Sequence, residues 1–310
     1  MATKTIVIGH KNPDTDSVLS AMLVSKFSKK ILGFEADARI AGDINNETRF
    51  VLGLVGEQKP KSIKKVGAEN VVLVDTMEPE QILEGISEEN LVGIIDHHKM
   101  GGLKTFSPIY CRVEPIGCVC SLIYKICKEK GIKVDKKSAT MMMSGIISDT
   151  LNLTSPTATK EDKVLLAELA KISKIDMKKF VSDLFAAKSS LKGISLEKVI
   201  ESDYKEFEMG SKKVGIGVWE TTNPESVNES AHKIMPILVN KKAEAGLDYI
   251  LFGVVDILKN NTYCYIVSDA EEELVRTVFG APTKDDMAFM KGIVSRKKQI
   301  VPPLMGYFTK

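Results

Sequence analysis

No stretch of this 310-residue chain approaches the roughly 20 consecutive apolar residues that a membrane span needs. The opening MATKTIVIGH holds no apolar run of signal-peptide length. These two absences lead to the expectation of a cytoplasmic protein with no membrane association. Cysteine is scarce and odd in number, at Cys111, Cys118, Cys120, Cys127 and Cys264, which argues against a disulfide framework. Cys118 and Cys120 lack the CxxC spacing and partner pair of a structural zinc site, so small buried residues are expected there. Charge of one sign is also lacking. With a net charge of +2, neither a nucleic-acid track nor an anionic surface is demanded, and any anion binding has to come from a local cluster. No internal repeat or low-complexity tract is present.

What is present describes two globular domains. Apolar residues make up 44% and charged residues 27% of the chain, enough to bury a core in each half. The first half alternates buried strand-like runs with amphipathic stretches, the pattern of a parallel sheet wrapped by helices. Strands are expected at 5–9, 71–74 and 91–95, with helices at 17–31 (capped by Asp16 or Ser17), 118–130, 138–147 and 160–171. Met141, Met142 and Met143 read as core. Small polar residues loosen the pattern near 188–193. Beyond them a strand at 214–218, a long helix near 226–246, a run at 249–255 and a hairpin at Asn260-Asn261 suggest a smaller α/β unit. The expected organisation is therefore a catalytic domain over 1–187, a linker over 188–194 and a second domain over 195–310.

Histidine is rare as well, and its distribution is informative. Of four histidines, His10, His97 and His98 follow strand-like runs and stand near aspartates, within GHKNPDTDS (9–17) and IIDHHK (94–99). Ligands in open α/β sheets bind beyond the carboxyl ends of the strands, so these ends can converge although they are distant in sequence. His10, Asp14, Asp16, Asp75, His97, His98 and Asp149 make a mixed nitrogen and oxygen donor set that suits manganese, cobalt or iron, with zinc as another candidate. Seven donors exceed one ion. Two metals bridged by a carboxylate use them economically, and such a pair can clamp both oxygens of a phosphoryl transfer. The competing reading of Asp14-Thr15-Asp16 is a turn with an N-cap, and of Asp149 a helix cap. His232 is left as an ordinary helix residue.

A second cluster, Ser295-Arg296-Lys297-Lys298-Gln299, sets three cations beside apolar residues. It is either an exposed basic loop or an anion grip, with arginine as a planar fork and lysine as a point charge. If it faces the metals, the active site lies in the cleft between the domains.

With these motifs in view, the sequence resembles the family II inorganic pyrophosphatases of the DHH phosphoesterase superfamily. The resemblance rests on GHKNPDTDS, on IIDHHK with EPIGC at 114–118, on ISDT at 147–150 with SPTAT at 155–159, and on SRKKQIVPPL at 295–304. It implies an N-terminal DHH domain and a C-terminal DHHA2-type domain. It further implies that His10, Asp14 and Asp75 bind one metal and Asp16, Asp75, His97 and Asp149 the other, with two Mn²⁺ (or Co²⁺) per subunit and Mg²⁺ arriving with the substrate. His98, Lys205, Arg296 and Lys297 would contact pyrophosphate, and a water bridging the metals would attack it. Lys205 comes from the resemblance alone. A homodimer is implied too, and adenine-nucleotide control is not, since the chain lacks room for the inserted domains of regulated members. One departure stands out: members usually follow the bridging aspartate with His-Asn, where this chain has Thr76-Met77, so a support for that ligand is expected to be altered. The rival readings are an exopolyphosphatase or oligonucleotide phosphodiesterase of the same superfamily, and a weakly catalytic metal and phosphate binding protein.

Overall fold

Three of the most apolar runs in the chain lie side by side at the centre of one sheet. In the computed structural model, which describes residues 3–190, 194–222, 224–228 and 231–309 with the side chain at 226 excepted, the chain divides into two units, 1–187 and 188–310. The first unit runs β1 (Thr5–Ile8), α1 (Thr15–Ile31), β2 (Asp37–Ile40), α2 (Asn46–Val55), β3 (Lys61–Ser62), β4 (Asn70–Val74), β5 (Leu91–Asp96), β6 (Tyr110–Val113), α3 (Val119–Glu129), α4 (Lys136–Thr150), α5 (Lys160–Ser173) and α6 (Met177–Lys188). Its sheet has the order β3-β2-β1-β4-β5-β6, with every pairing parallel. Parallel strands covered on both faces must be apolar throughout, which explains why TIVI, NVVLV and LVGIID read as continuous buried runs.

Helix α1 starts two residues before the expected Ser17. Its cap is Asp14, whose Oδ1 accepts from the Ser17 amide at 2.9 Å, so neither Asp16 nor Ser17 is the cap. Helix α4 is longer than expected at both ends and buries Met141, Met142 and Met143, the last two completely. Cys118, Cys120 and Cys127 are buried, whereas Cys111 on β6 is exposed. Lys26 breaks the apolar spacing of α1 because it is exposed and donates to Asp135 at 2.6 Å and Ser138 at 2.8 Å beside the start of α4.

The second unit contains α7 (Leu196–Glu201), β7 (Tyr204–Met209), β8 (Lys212–Thr221), α8 (Glu225–Asn228), α9 (Ala231–Glu244), β9 (Tyr249–Asp256), β10 (Asn261–Tyr265), α10 (Asp269–Phe279), β11 (Thr283–Lys284), β12 (Met287–Lys291) and α11 (Val301–Phe308). Its sheet runs β11-β12-β10-β9-β8-β7. Only β8 and β9 pair in parallel, the other pairings being antiparallel. The hairpin between β9 and β10 turns at Asn260, which adopts φ 55°, a conformation asparagine tolerates better than most residues. The long helix expected near 226–246 is represented by α8 and α9, and residues 229–230 lie outside the described residues. Of the expected linker, Lys188 still belongs to α6, and 191–193 lie outside the described residues. Among the described residues, no helix is long and apolar enough to cross a membrane.

Candidate metal centre

The first unit gathers its ionisable side chains where β1, β4 and β5 end. Asp75 follows β4 directly with φ 60°, a left-handed conformation that costs a non-glycine residue of order 1 kcal/mol or more and tends to mark functional sites. Both of its carboxylate oxygens are buried and neither makes a hydrogen bond of regular geometry. Nearest to them are His10 Nε2, 3.4 Å from Oδ2, and His97 Nε2, 3.3 Å from Oδ1.

The two imidazoles are oriented by the main chain. His10 Nδ1 lies 2.7 Å from the Lys11 carbonyl and His97 Nδ1 lies 2.9 Å from the Ile116 carbonyl. A carbonyl only accepts, so each Nδ1 carries the proton, and in the neutral ring Nε2 presents its lone pair to the carboxylates. Lone pairs directed at buried carboxylate oxygens repel unless a cation lies between them. This arrangement fits a metal ion.

Asp14 serves two purposes at once: Oδ1 caps α1 while Oδ2 lies 3.5 Å from His10 Nε2. The cap and the ligand readings of this residue are therefore compatible. Asp16, in the first turn of α1, is fully buried, and its carboxylate accepts from the amides of Val119 at 2.6 Å and Cys120 at 3.0 Å. The segment containing EPIGC thus presents the start of α3 to Asp16. Gly145 makes room for it, since a Cβ there would stand 2.7 Å from Asp16 Oδ1. Asp149 comes from the last turn of α4 rather than from a strand end, with Oδ2 at 3.7 Å from His97 Nε2. Thr157 of SPTAT donates to the Asp149 carbonyl, and Thr159 caps α5.

Single donor atoms of His10, Asp14 and Asp75 lie within 4.8 Å of one another, as do those of Asp16, Asp75, His97 and Asp149. A third such group joins Asp75, Asp96, His97 and His98. Asp75 belongs to all three. Burial, reinforced by the charge of Asp75, pushes the Asp16 carboxyl up to about 7. Burial and the charge of Asp14 would raise Asp75 as well, but proton donation from the His10 and His97 rings, which is open to them only while no metal takes up their Nε2 lone pairs, outweighs both and leaves it below the usual carboxylate range.

Asp96, the aspartate of the Asp-His-His run, to which the sequence assigns no role of its own, organises the histidine pair. Its Oδ1 accepts from the His97 amide at 2.7 Å, the His98 amide at 3.2 Å and the His98 ring Nδ1 at 2.8 Å. Burial and then the Asp75 charge push its carboxyl up to about 6. The His98 ring meets His97 edge to face at 4.5 Å. Thr76 and Met77 are both buried, and Met77 packs with Ile6, Ile8 and Leu73. The Thr76 hydroxyl accepts from the Glu78 amide at 3.4 Å, so apolar packing at this position belongs to Met77 alone.

The remaining candidates belong to the second unit. Residues 296–300 form a π-type turn leading into α11. Ser295 and Gln299 hold this turn, the first capping it at Lys298 and the second accepting from the amides of Val294 and Ser295. Arg296 is mostly buried and lies 2.6 Å from the Asp203 carboxylate, with a further bond to the Asp203 carbonyl. Asp203 stands two residues before Lys205 on β7, so Arg296 is tied to the strand that carries Lys205.

Comparison with known proteins agrees with this donor chemistry. Residues 4–146 match the model of the DHH family, N-terminal domain, and residues 182–307 match the DHHA2 domain. The protein named probable manganese-dependent inorganic pyrophosphatase of Clostridium acetobutylicum is 38% identical over 299 residues, covering 96% of each chain. The manganese-dependent inorganic pyrophosphatase of Bacillus subtilis is 35% identical over 303 residues, covering 97% of each. A crystal structure from Methanococcus jannaschii, assigned to the family II inorganic pyrophosphatases, superposes with a TM-score of 0.88 at 33% identity, covering 99% of this chain and 100% of that one. The chain belongs to the family of manganese-dependent, family II inorganic pyrophosphatases.

Proposed function

We propose that this chain hydrolyses inorganic pyrophosphate to two phosphates at a pair of divalent metals, one held by His10, Asp14 and Asp75 and the other by Asp16, Asp75, His97 and Asp149. Its class is that of its relatives, an inorganic diphosphatase. The carrying observation is the pair of buried Asp75 oxygens, without regular hydrogen bonds, between the ring nitrogens of His10 and His97. Manganese, or cobalt in its place, would neutralise phosphate charge and acidify a coordinated water toward neutrality, with magnesium accompanying the substrate.

The protein's own part is to position and to move protons. Asp75 spans both donor groups. His98, with Nδ1 turned to Asp96, would meet the substrate through Nε2 and give a proton to the leaving phosphate as the bridging P–O bond breaks. Arg296 and Lys297 would grip phosphate oxygens, with Lys205 beside them. A guanidinium has five N–H donors and Asp203 engages two of its nitrogens, so a preoriented fork retains donors for phosphate.

The test is phosphate release from magnesium pyrophosphate, tripolyphosphate and a short oligonucleotide by protein stripped with chelator and reloaded with manganese. Release from pyrophosphate, lost by at least a thousandfold in Asp75→Ala, is the expected result. Cleavage of a longer substrate with pyrophosphate untouched would retain the metals and overturn the assigned substrate.

A further inference from the structure

We infer that Glu47 is a positioning residue for the metal centre, holding the segment with Asp14 and Asp16 at a fixed distance from Asp149. Glu47 lies in the first turn of α2 and is 1% exposed. A single oxygen, Oε2, accepts from the Thr15 hydroxyl at 2.6 Å and from the Ser148 hydroxyl at 2.7 Å. Thr15 stands between Asp14 and Asp16 at the start of α1, and Ser148 directly precedes Asp149 in the last turn of α4. One carboxylate oxygen therefore joins two segments 133 residues apart in sequence, each adjacent to proposed ligands.

Other observations show that the joint is built rather than incidental. Because the Thr15 proton goes to Glu47, the Thr48 hydroxyl 3.1 Å away must be the donor to Thr15. The Thr48 amide in turn donates to the α2 cap, Asn45, at 2.7 Å. Three helices are thus keyed together by buried hydroxyls around one acid, and a partly dismantled network of this kind is costly. Groups that orient metal ligands from behind typically change metal affinity by about 10 to 100-fold when removed.

The inference rests on Asp14, Asp16 and Asp149 being ligands, and the experiment separates the two claims. Manganese affinity is measured by electron paramagnetic resonance and calorimetry on chelator-stripped protein, for Glu47→Ala, Glu47→Gln, Ser148→Ala and Asp149→Ala. Expected are a loss of at least about tenfold in Glu47→Ala, a smaller loss in Ser148→Ala, and recovery of most of the affinity in Glu47→Gln, which keeps an acceptor oxygen. A double-mutant comparison of Glu47→Ala with Ser148→Ala should be strongly non-additive. Weakened binding in Asp149→Ala with unchanged binding in Glu47→Ala and Ser148→Ala would overturn the positioning role alone. Unchanged binding in Asp149→Ala would overturn the ligand reading beneath it. Should Glu47→Ala fail to fold, Ser148→Ala decides. Equal losses in the Gln and Ala variants would assign the effect to charge and overturn the joint.

Discussion

Asp16 and Asp96 are the two residues whose protonation matters most before a metal arrives. Their folded-state values, about 7 and about 6, are raised above the ordinary carboxylate value, so between about pH 4 and 7 the folded protein binds more protons than the unfolded chain. Stability of the metal-free protein therefore falls as pH rises through that window and levels off above it. A metal at Asp16 must displace the same proton, so apparent manganese affinity should rise by about tenfold per pH unit from pH 5 to 7 and flatten beyond. Titrations at pH 5.5, 6.5 and 7.5 check this, and an affinity independent of pH would show that Asp16 does not surrender a proton to the metal. At this scale the sequence was only partly legible. His10, His97 and Asp75 stood out because polar residues ending buried strands have few other reasons to gather. Glu47 did not, because its role comes from hydroxyls 32 and 101 residues away that folding brings near, and Asp96, though part of the Asp-His-His run, gave no sign that it would accept from the His98 ring two residues on.

Among the elements, helix α4 shows how packing and chemistry share a residue. Gly145 lies in its interior, where alanine would ordinarily gain up to about 1 kcal/mol of helix propensity. Here the added Cβ would come within 2.6 Å of Cys120 Sγ and 2.7 Å of Asp16 Oδ1. Overpacking of this kind costs about 1 to 3 kcal/mol, so the steric term wins. Gly145→Ala is expected to lower the melting temperature of the metal-free protein by a few degrees, at about 2 to 4 °C per kcal/mol for a unit of this size, and to weaken manganese binding by shifting Asp16. Calorimetry with and without manganese distinguishes the two effects, and a variant that melts higher than wild type with full metal affinity would refute the crowding argument. The elements themselves were the most legible part of the chain. Continuous Val, Ile and Leu runs marked β1, β4 and β5, whereas β3, with two exposed residues, and β2, with one buried residue at its end, carry little apolar signal. The expected start of α1 lies two residues late because Asp14, the true cap, is followed by Thr15 and Asp16, which disguise the first turn as more loop.

At the scale of the whole molecule, the two units carry different halves of the proposed chemistry and should answer to different ligands. Each has its own apolar cluster, one around Ile6, Leu73 and Ile94 and the other around Trp219, Phe252 and Tyr265. The proposed metal ligands all lie in the first unit, while Lys205, Arg296 and Lys297 lie in the second. A ligand that binds only the folded form stabilises it by about 2.7 kcal/mol at a concentration one hundred times its Kd. Manganese alone should therefore slow backbone hydrogen exchange around residues 9–17, 75–77, 96–98 and 146–150, leaving the strands of the second unit at their metal-free rates. If the second unit grips the substrate as proposed, adding a non-hydrolysable pyrophosphate analogue should then slow exchange at 203–206 and 295–300, and Arg296→Ala should abolish this second protection while preserving the first. Protection by the analogue confined to the first unit would remove Lys205, Arg296 and Lys297 from the substrate site. Protection of the second unit by manganese alone would mean that the metals couple to that unit before substrate arrives.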